Sequence, residues 1–200
     1  MDNEYTLKIA DFGFAAPLRG RDGSGTLNTH LGTVNYMAPE IHLKQPYDGA
    51  QIDLFAAAII LFIMVSEHPP FTTATPADPF YRCLAANKHE LFWKTHGKNK
   101  EGGESFFSAE FKDLVNSMLT LDPAQRPGME EVLGHPWMKG PCPSGAEVQQ
   151  DLQQRVAAYK ESMENEREQK DHEKEKREKR RRERAVGAVR GEGNSDDVQI

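Results

Sequence analysis

The spacing of apolar residues changes several times along this chain, and each change predicts a different element. Tyr5 to Ala10 alternates loosely and is rich in strand formers, so a short strand is expected there. Leu18 to His30 has few apolar residues and carries Gly20, Gly23 and Gly25, which predicts a mobile polar loop. Asp53 to Ser66 is apolar on every side and rich in helix formers, predicting a core helix buried all round. Glu67-His68-Pro69-Pro70-Phe71 ends it, because proline removes a backbone donor and clashes with the preceding turn. Lys98 to Glu104 reads as a polar loop. After it Phe111, Leu114, Val115, Met118 and Leu119 recur at helical spacing, with Ser108 placed as a plain N-cap.

The pattern shifts again past residue 139. Pro141, Pro143, Ser144 and Gly145 mark a linker over 140–147. Val148, Leu152, Val156, Tyr159 and Met163 then form one apolar stripe of about two heptads, a candidate for helix-mediated self-association through 148–163. From Glu164 to Arg184 there are 10 Lys/Arg, 8 Asp/Glu and no apolar residue. Opposite charges three and four positions apart add ~0.2–0.5 kcal/mol per pair, so a solvated helix is expected over 164–184, within a charged helix over 148–184 that is a coiled-coil candidate. Arg180-Arg181-Arg182 is either the end of that helix or a patch for nuclear import or a polyanion. Residues 185–200 are expected to be disordered.

Composition sharpens this division. Hydrophobic residues make up 38% of 200, which leaves part of the chain outside any core. Residues 1–140 carry 12 Lys/Arg and 17 Asp/Glu, and residues 141–200 carry 13 and 14. Neither part has the positive field of a specific nucleic-acid binder. The longest apolar run, Leu54 to Val65, falls short of the ~18–20 residues that cross a bilayer, so no membrane association is expected. Cys83 and Cys142 stand far apart, which argues against a disulfide framework or zinc site and for a reduced, cytoplasmic setting, with the nucleus as the alternative. His89-Glu90 opens an H-E-x-x-H pattern, but Trp93 occupies the place of its second histidine.

Two triplets carry the candidate chemistry. Asp11-Phe12-Gly13 and Ala38-Pro39-Glu40 bracket a Gly- and Ser-rich loop, with Gly32-Thr33-Val34-Asn35-Tyr36-Met37 just before the second. D-F-G and A-P-E in this order bound the activation loop of protein kinases. The chain therefore resembles the C-terminal part of a eukaryotic protein serine/threonine kinase, of the calcium/calmodulin-dependent kinase-like group. The likeness runs over about residues 5–139, closing at His135-Pro136-Trp137. It implies a mainly α fold, a kinase-like C-lobe fragment with the N-lobe absent, followed by a charged helical tail. A partial kinase domain would then occupy 1–139.

The resemblance also implies roles. Asp11 would hold Mg²⁺ on ATP, with Phe12 and Gly13 structural beside it. Thr29 would be the activation-loop phosphosite. Thr33 would support the catalytic loop, and Tyr36 would shape the pocket for a protein substrate. Glu40 would pair with Arg126, since a lone carboxylate in a packed interior is costly. Asp53 would brace the catalytic-loop backbone, and an Asp at a helix start also suits a cap. Ile60 and Met64 would lie under the adenine, although core packing alone would explain both. Phe55 and Ala58 depart from the family's commoner Trp and Gly.

Other parts of the kinase pattern do not occur in these residues: the Gly-rich loop, the phosphate-gripping lysine with its glutamate, and H-R-D-x-x-x-x-N. Phosphoryl transfer rests on positioning and charge stabilisation, and losing one preorganised group costs ~10²–10³ in rate. No kinase activity is expected from this polypeptide by itself. An inactive kinase-like module that recruits partner proteins is the alternative, and a scaffold built on the charged tail is a third.

Overall fold

In the computed structural model the described residues are 6–18, 20 and 22–191, with only the backbone described for Glu104 and 179–191. Contacts divide the chain into one unit of Ala10–Pro141 and another of Met1–Ile9 with Cys142–Ile200.

The first unit is helical: α1 (Pro39–His42), α2 (Gly49–Ser66), α3 (Pro79–Ala85), α4 (His89–Gly97), α5 (Ala109–Met118) and α6 (Met129–Gly134). Short 3-10 turns lie before, between and after them. Acids and hydroxyls set several starts. Asp48 caps α2 by accepting from Ala50 N–H at 2.7 Å, and Ser108 caps α5 by accepting from Phe111 N–H at 3.1 Å. Side-chain oxygens at these positions satisfy donors that the first turn leaves unpaired. α2 ends at Ser66, where Glu67 turns left-handed ahead of the two prolines.

The core forms where α2 packs on α5. Phe55, Ala58, Ile59 and Phe62 of α2 are fully enclosed, together with Phe92, Phe111, Leu114 and Val115. Phe62 is the hub, with ring centroids of Phe92, Trp93 and Phe107 at 5.7–5.8 Å. Offset and edge-on aromatic contacts of this kind add ~0.5–1.5 kcal/mol each beyond area burial.

Three expectations need correction. Among the described residues of the Tyr5–Ala10 stretch, 6–10 form no strand, and Leu7 and Ile9 are exposed. Alternation is a local signal, whereas a strand needs a neighbour to pair with. α2 begins four residues before Asp53, so Asp48 rather than Asp53 is its cap. Third, α2 is not buried all round: Ile60 is 50% and Met64 76% exposed. At 18 residues and mean hydropathy 2.0, α2 has the length and composition of a membrane-crossing helix. Leu54, Phe55, Ala58, Ile59 and Phe62, however, are packed into the core just described.

The second unit is dominated by α7, a single helix from Gly145 to Gly191. It starts three residues before Val148, with Ser144 and Glu147 bonded to each other at 2.7 Å across its first turn. It also carries on through 185–191, which composition placed in a disordered tail. Among the described residues three i,i+4 ion pairs line it: Asp151–Arg155, Glu166–Lys170 and Glu173–Arg177. The side chains of Arg180–Arg182 and all of residues 192–200 lie outside the described residues.

Candidate functional site

Asp11 heads the 3-10 turn Phe12–Phe14 with a left-handed backbone, φ 64° and ψ 69°. Non-glycine residues seldom take that conformation, Asp and Asn more readily than most, and Lys44, Glu67 and Asn87 share it here. Its side chain is exposed. Gly13 keeps the carboxylate uncrowded, because a Cβ there would stand 3.3 Å from Asp11 Oδ1. Phe12 beside it is 69% exposed.

The loop that follows is tied down at several of its described residues. Gly20 has φ 69°, and a Cβ there would meet the Thr26 carbonyl oxygen at 2.8 Å, so this bend requires glycine. Ser24 N–H donates to Asp22 Oδ1 at 3.0 Å, a bond that holds the Asp22 carboxyl below its ordinary range. Leu27 and Tyr47 exchange backbone hydrogen bonds at 2.8 and 2.9 Å in an isolated antiparallel bridge. Tyr47 OH donates to the Thr29 carbonyl at 2.6 Å. With its one proton engaged there, it can only accept from Thr29 Oγ1, 3.1 Å away. The Thr29 side chain is therefore a hydrogen-bond donor to the loop's own anchor.

Farther on, Val34–Tyr36 makes a 3-10 turn closed by Tyr36 N–H to the Thr33 carbonyl at 3.0 Å. Thr33 and Tyr36 are both exposed. Asn35 Nδ2 donates to the Thr72 carbonyl at 3.1 Å, which fastens this turn to the segment after α2.

Glu40 and Arg126, 86 residues apart, meet in the interior. Arg126 Nη1 and Nη2 donate to Glu40 Oε1 and Oε2 at 2.7 and 2.8 Å. The remaining guanidinium donors reach the carbonyls of Thr120 (2.8 Å), Gln51 (3.3 Å) and Leu121 (3.3 Å). All five N–H groups are thus engaged. The guanidinium also lies 4.9 Å from the Phe55 ring centroid. Both side chains are almost wholly removed from water, which a charge tolerates only when paired and hydrogen-bonded. The pair joins the end of the loop to the first turn of α2 and to the segment after α5.

Asp53, Ala57, Ile60 and Met64 follow one another by 4, 3 and 4 residues along the uncovered side of α2. Although exposed, Asp53 keeps part of its carboxyl out of water, and this burial raises its pKa above the usual value.

Among the described residues no cluster of three or more His, Cys, Asp or Glu could hold a metal unaided. Asp11 offers one exposed carboxylate. That suits an ion such as Mg²⁺, which takes one or two carboxylates and completes its shell with water and substrate phosphates.

The Protein kinase domain family matches residues 1–138. The chain belongs to the protein kinase family. Among the relatives is "Calcium/calmodulin-dependent protein kinase cmkA" of Emericella nidulans, 31% identical over 78% of this chain and 35% of that protein. "CBL-interacting serine/threonine-protein kinase 26" of Arabidopsis thaliana is 33% identical over 70% of this chain and 29% of its own length. "SNF-related serine/threonine-protein kinase" of Homo sapiens is 33% identical over 72% and 17%. The chain thus spans between about a sixth and a third of the length of these kinases.

Sequence reasoning passed over three residues of this kinase lobe. Asp78 caps α3 through Phe80 and Tyr81 N–H at 2.9 and 3.0 Å. Its other oxygen accepts from Thr72 and Thr73 N–H at 2.8 and 3.4 Å. Asp followed by Pro, a cap and a first-turn residue, was the available signal. His96 is buried against Phe92, Phe62 and His68, with ring centroids at 4.4, 5.0 and 5.1 Å. Burial, and then the charge of His68, push its pKa down to about 4. Tyr47, the loop's anchor, had no sequence signal, because its partners come from 18 and 20 residues upstream.

Proposed function

We propose that this chain is the part of an ATP-dependent protein serine/threonine kinase that carries the magnesium aspartate, the activation segment and the substrate-side helices. The observation that carries the reading is Asp11, strained into a left-handed backbone with its carboxylate exposed. It heads a loop whose far end is pinned by the buried Glu40–Arg126 pair. Mg²⁺ on the nucleotide phosphates neutralises the charge that develops on transfer. Asp11 is the residue here that would hold it. Ile60 and Met64 supply apolar surface suited to the adenine, and Thr33 and Tyr36 stand exposed for the substrate side. Thr29 is the site at which phosphorylation would act on the loop. Its hydroxyl is a donor to Tyr47, and a phosphate there removes that donor and adds charge of about −1.5 to −2.

These 200 residues alone are expected to lack activity, because the general base and most phosphate-binding groups of the kinase pattern do not occur among them. The test is direct. The chain is incubated with Mg-ATP and a mixed Ser/Thr peptide library, and no transfer is expected. Phosphorylation that copurifies with the chain and disappears in Asp11→Ala would refute that. An in-frame H-R-D loop and Gly-rich loop upstream of Met1 in the coding sequence are the expected complement. Their absence from every transcript would favour the second reading, an inactive module that binds partner proteins. What favours that reading is apolar surface left open at Phe12, Ile60 and Met64.

A further inference from the structure

We infer that α7 is a docking helix for an amphipathic helix of another protein, one whose apolar seam is flanked by Asp and Glu. In a heptad frame Leu152 and Tyr159 fall at d, and Val156 and Met163 at a. Tyr159 is 65% exposed, and Val156 and Met163 also face water. The charges are sorted around this seam. All seven Lys and Arg between Val148 and Glu178 lie at a, e or g, while seven of the nine acids there lie at b, c or f. Past Met163 the seam positions close on themselves through the Glu166–Lys170 and Glu173–Arg177 ion pairs. The open apolar part therefore ends at Met163, and its flanks are Arg155, Lys160 and Arg167. Arg155 bonds to Asp151 through Nε at 2.7 Å, and its side chain is largely exposed, so Nη1 and Nη2 can serve a second carboxylate.

This sorting selects the occupant. In a parallel pair of two copies, Arg155 at g would face Lys160 at e of its partner. In an antiparallel pair the contacts run e to e and g to g, again base against base. Like charges across an interface cost binding and suppress the wrong partner. A helix with Glu or Asp at e and g turns the same positions into attractive pairs. Self-association through 148–163, the simplest use of the stripe, is the pairing that the charges oppose.

The test uses the full chain and two synthetic 28-residue helices, both with Leu at a and d, one with Glu and the other with Lys at e and g. The chain alone should sediment as a monomer at tens of micromolar. By fluorescence anisotropy the Glu-flanked peptide should bind at least about tenfold tighter than the Lys-flanked one, with the difference shrinking as salt rises. Tyr159→Glu should abolish that binding while leaving the far-ultraviolet circular dichroism unchanged. The double variant Arg155→Glu, Lys160→Glu should reverse the preference. The inference is overturned by a dimer that Tyr159→Glu dissociates, or by equal binding or no binding of the two peptides. Adsorption to phosphatidylserine vesicles without peptide preference would equally overturn it, and would assign the basic flanks to a lipid surface.

Discussion

Replacing Arg126 by Met tests how much of the kinase lobe hangs on one buried ion pair. The substitution keeps an apolar stem of similar reach and removes all five donors. Glu40, 4% exposed, would be left as a buried carboxylate with its bidentate partner gone. The carbonyls of Thr120, Gln51 and Leu121 would lose a donor as well. Breaking a buried pair by removing one side costs about 3–5 kcal/mol, against a total stability of about 5–15 kcal/mol for a domain. The expected loss is thus about a fifth or more of the stability, and a fall in Tm on the order of 10–20 °C. Arg126→Lys should recover only part of it, since an ammonium cannot fill a planar fork. The double variant Glu40→Leu, Arg126→Met should recover most, because it leaves no charge unpaired. Urea unfolding followed by tryptophan fluorescence is the assay of choice. Trp93 and Trp137 both lie in the Ala10–Pro141 unit, so the signal ignores α7. A loss below about 1 kcal/mol in Arg126→Met would refute the reasoning, as would a double variant no more stable than the worse single one.

Three further outcomes follow from the buried polar groups. His96 is neutral when folded, with its pKa pushed from 6.5 down to about 4 by burial and by His68. Its contribution is therefore complete above pH 6.5 and is lost as the pH falls from there toward 4. The ceiling is about 3 kcal/mol, reduced to about 1.5 by solvent screening of an incompletely enclosed ring, and His96→Phe should flatten the unfolding midpoint over that window. Tyr81 OH is buried without a hydrogen-bond partner among the described residues, and burial, with Glu40's charge added and Arg126's opposed, pushes its pKa up to about 12. Tyr81→Phe should be neutral or stabilising by up to about 1 kcal/mol, and absorbance at high pH should show one tyrosine fewer ionising late; a clear loss of stability would show that the hydroxyl is satisfied. Asp78→Ala should cost about 2–4 kcal/mol, because four backbone N–H groups lose their acceptor, and Asp78→Asn should cost about half; equal losses in the two would mean the charge matters more than the bonds.

Sequence showed most of what is local. Ser108, the break after Ser66 and the helical spacing around Phe111 were legible because caps, prolines and periodicity act within a turn or two. The Glu40–Arg126 pair was not legible in that sense. Nothing near either residue selects the other from 25 bases and 31 acids, and only the kinase pattern named it. The strand over Tyr5–Ala10 failed for the opposite reason. Its alternation is local, but strand pairing is not, and residues 6–10 form no strand. The start of α2 was misplaced because Gly49 is a poor helix former and polar Gln51 lies outside the apolar run, while Asp48 reads equally as cap or turn. At the site, the identity of Asp11 was legible and its left-handed backbone was not, since any strand-to-turn Asp looks the same in sequence.

α2 and α5 differ in a way that bears on what the open side of α2 is for. α5 buries Phe111, Leu114, Val115 and Met118 and presents Glu110 and Asp113 to water, as a helix between core and solvent must. α2 buries a comparable set but continues apolar around its open side, through Ala57, Ile60 and Met64. An apolar side chain turned to water forgoes ~1.5–3 kcal/mol of burial and adds to a patch that invites association. A helix made to end against solvent has polar residues there, as α5 does. The open side of α2 therefore carries the composition of an interior, with Asp53, its carboxyl already partly out of water, at one end. Its composition suits a covered surface, and the adenine and catalytic loop proposed above would be coverings of that chemistry.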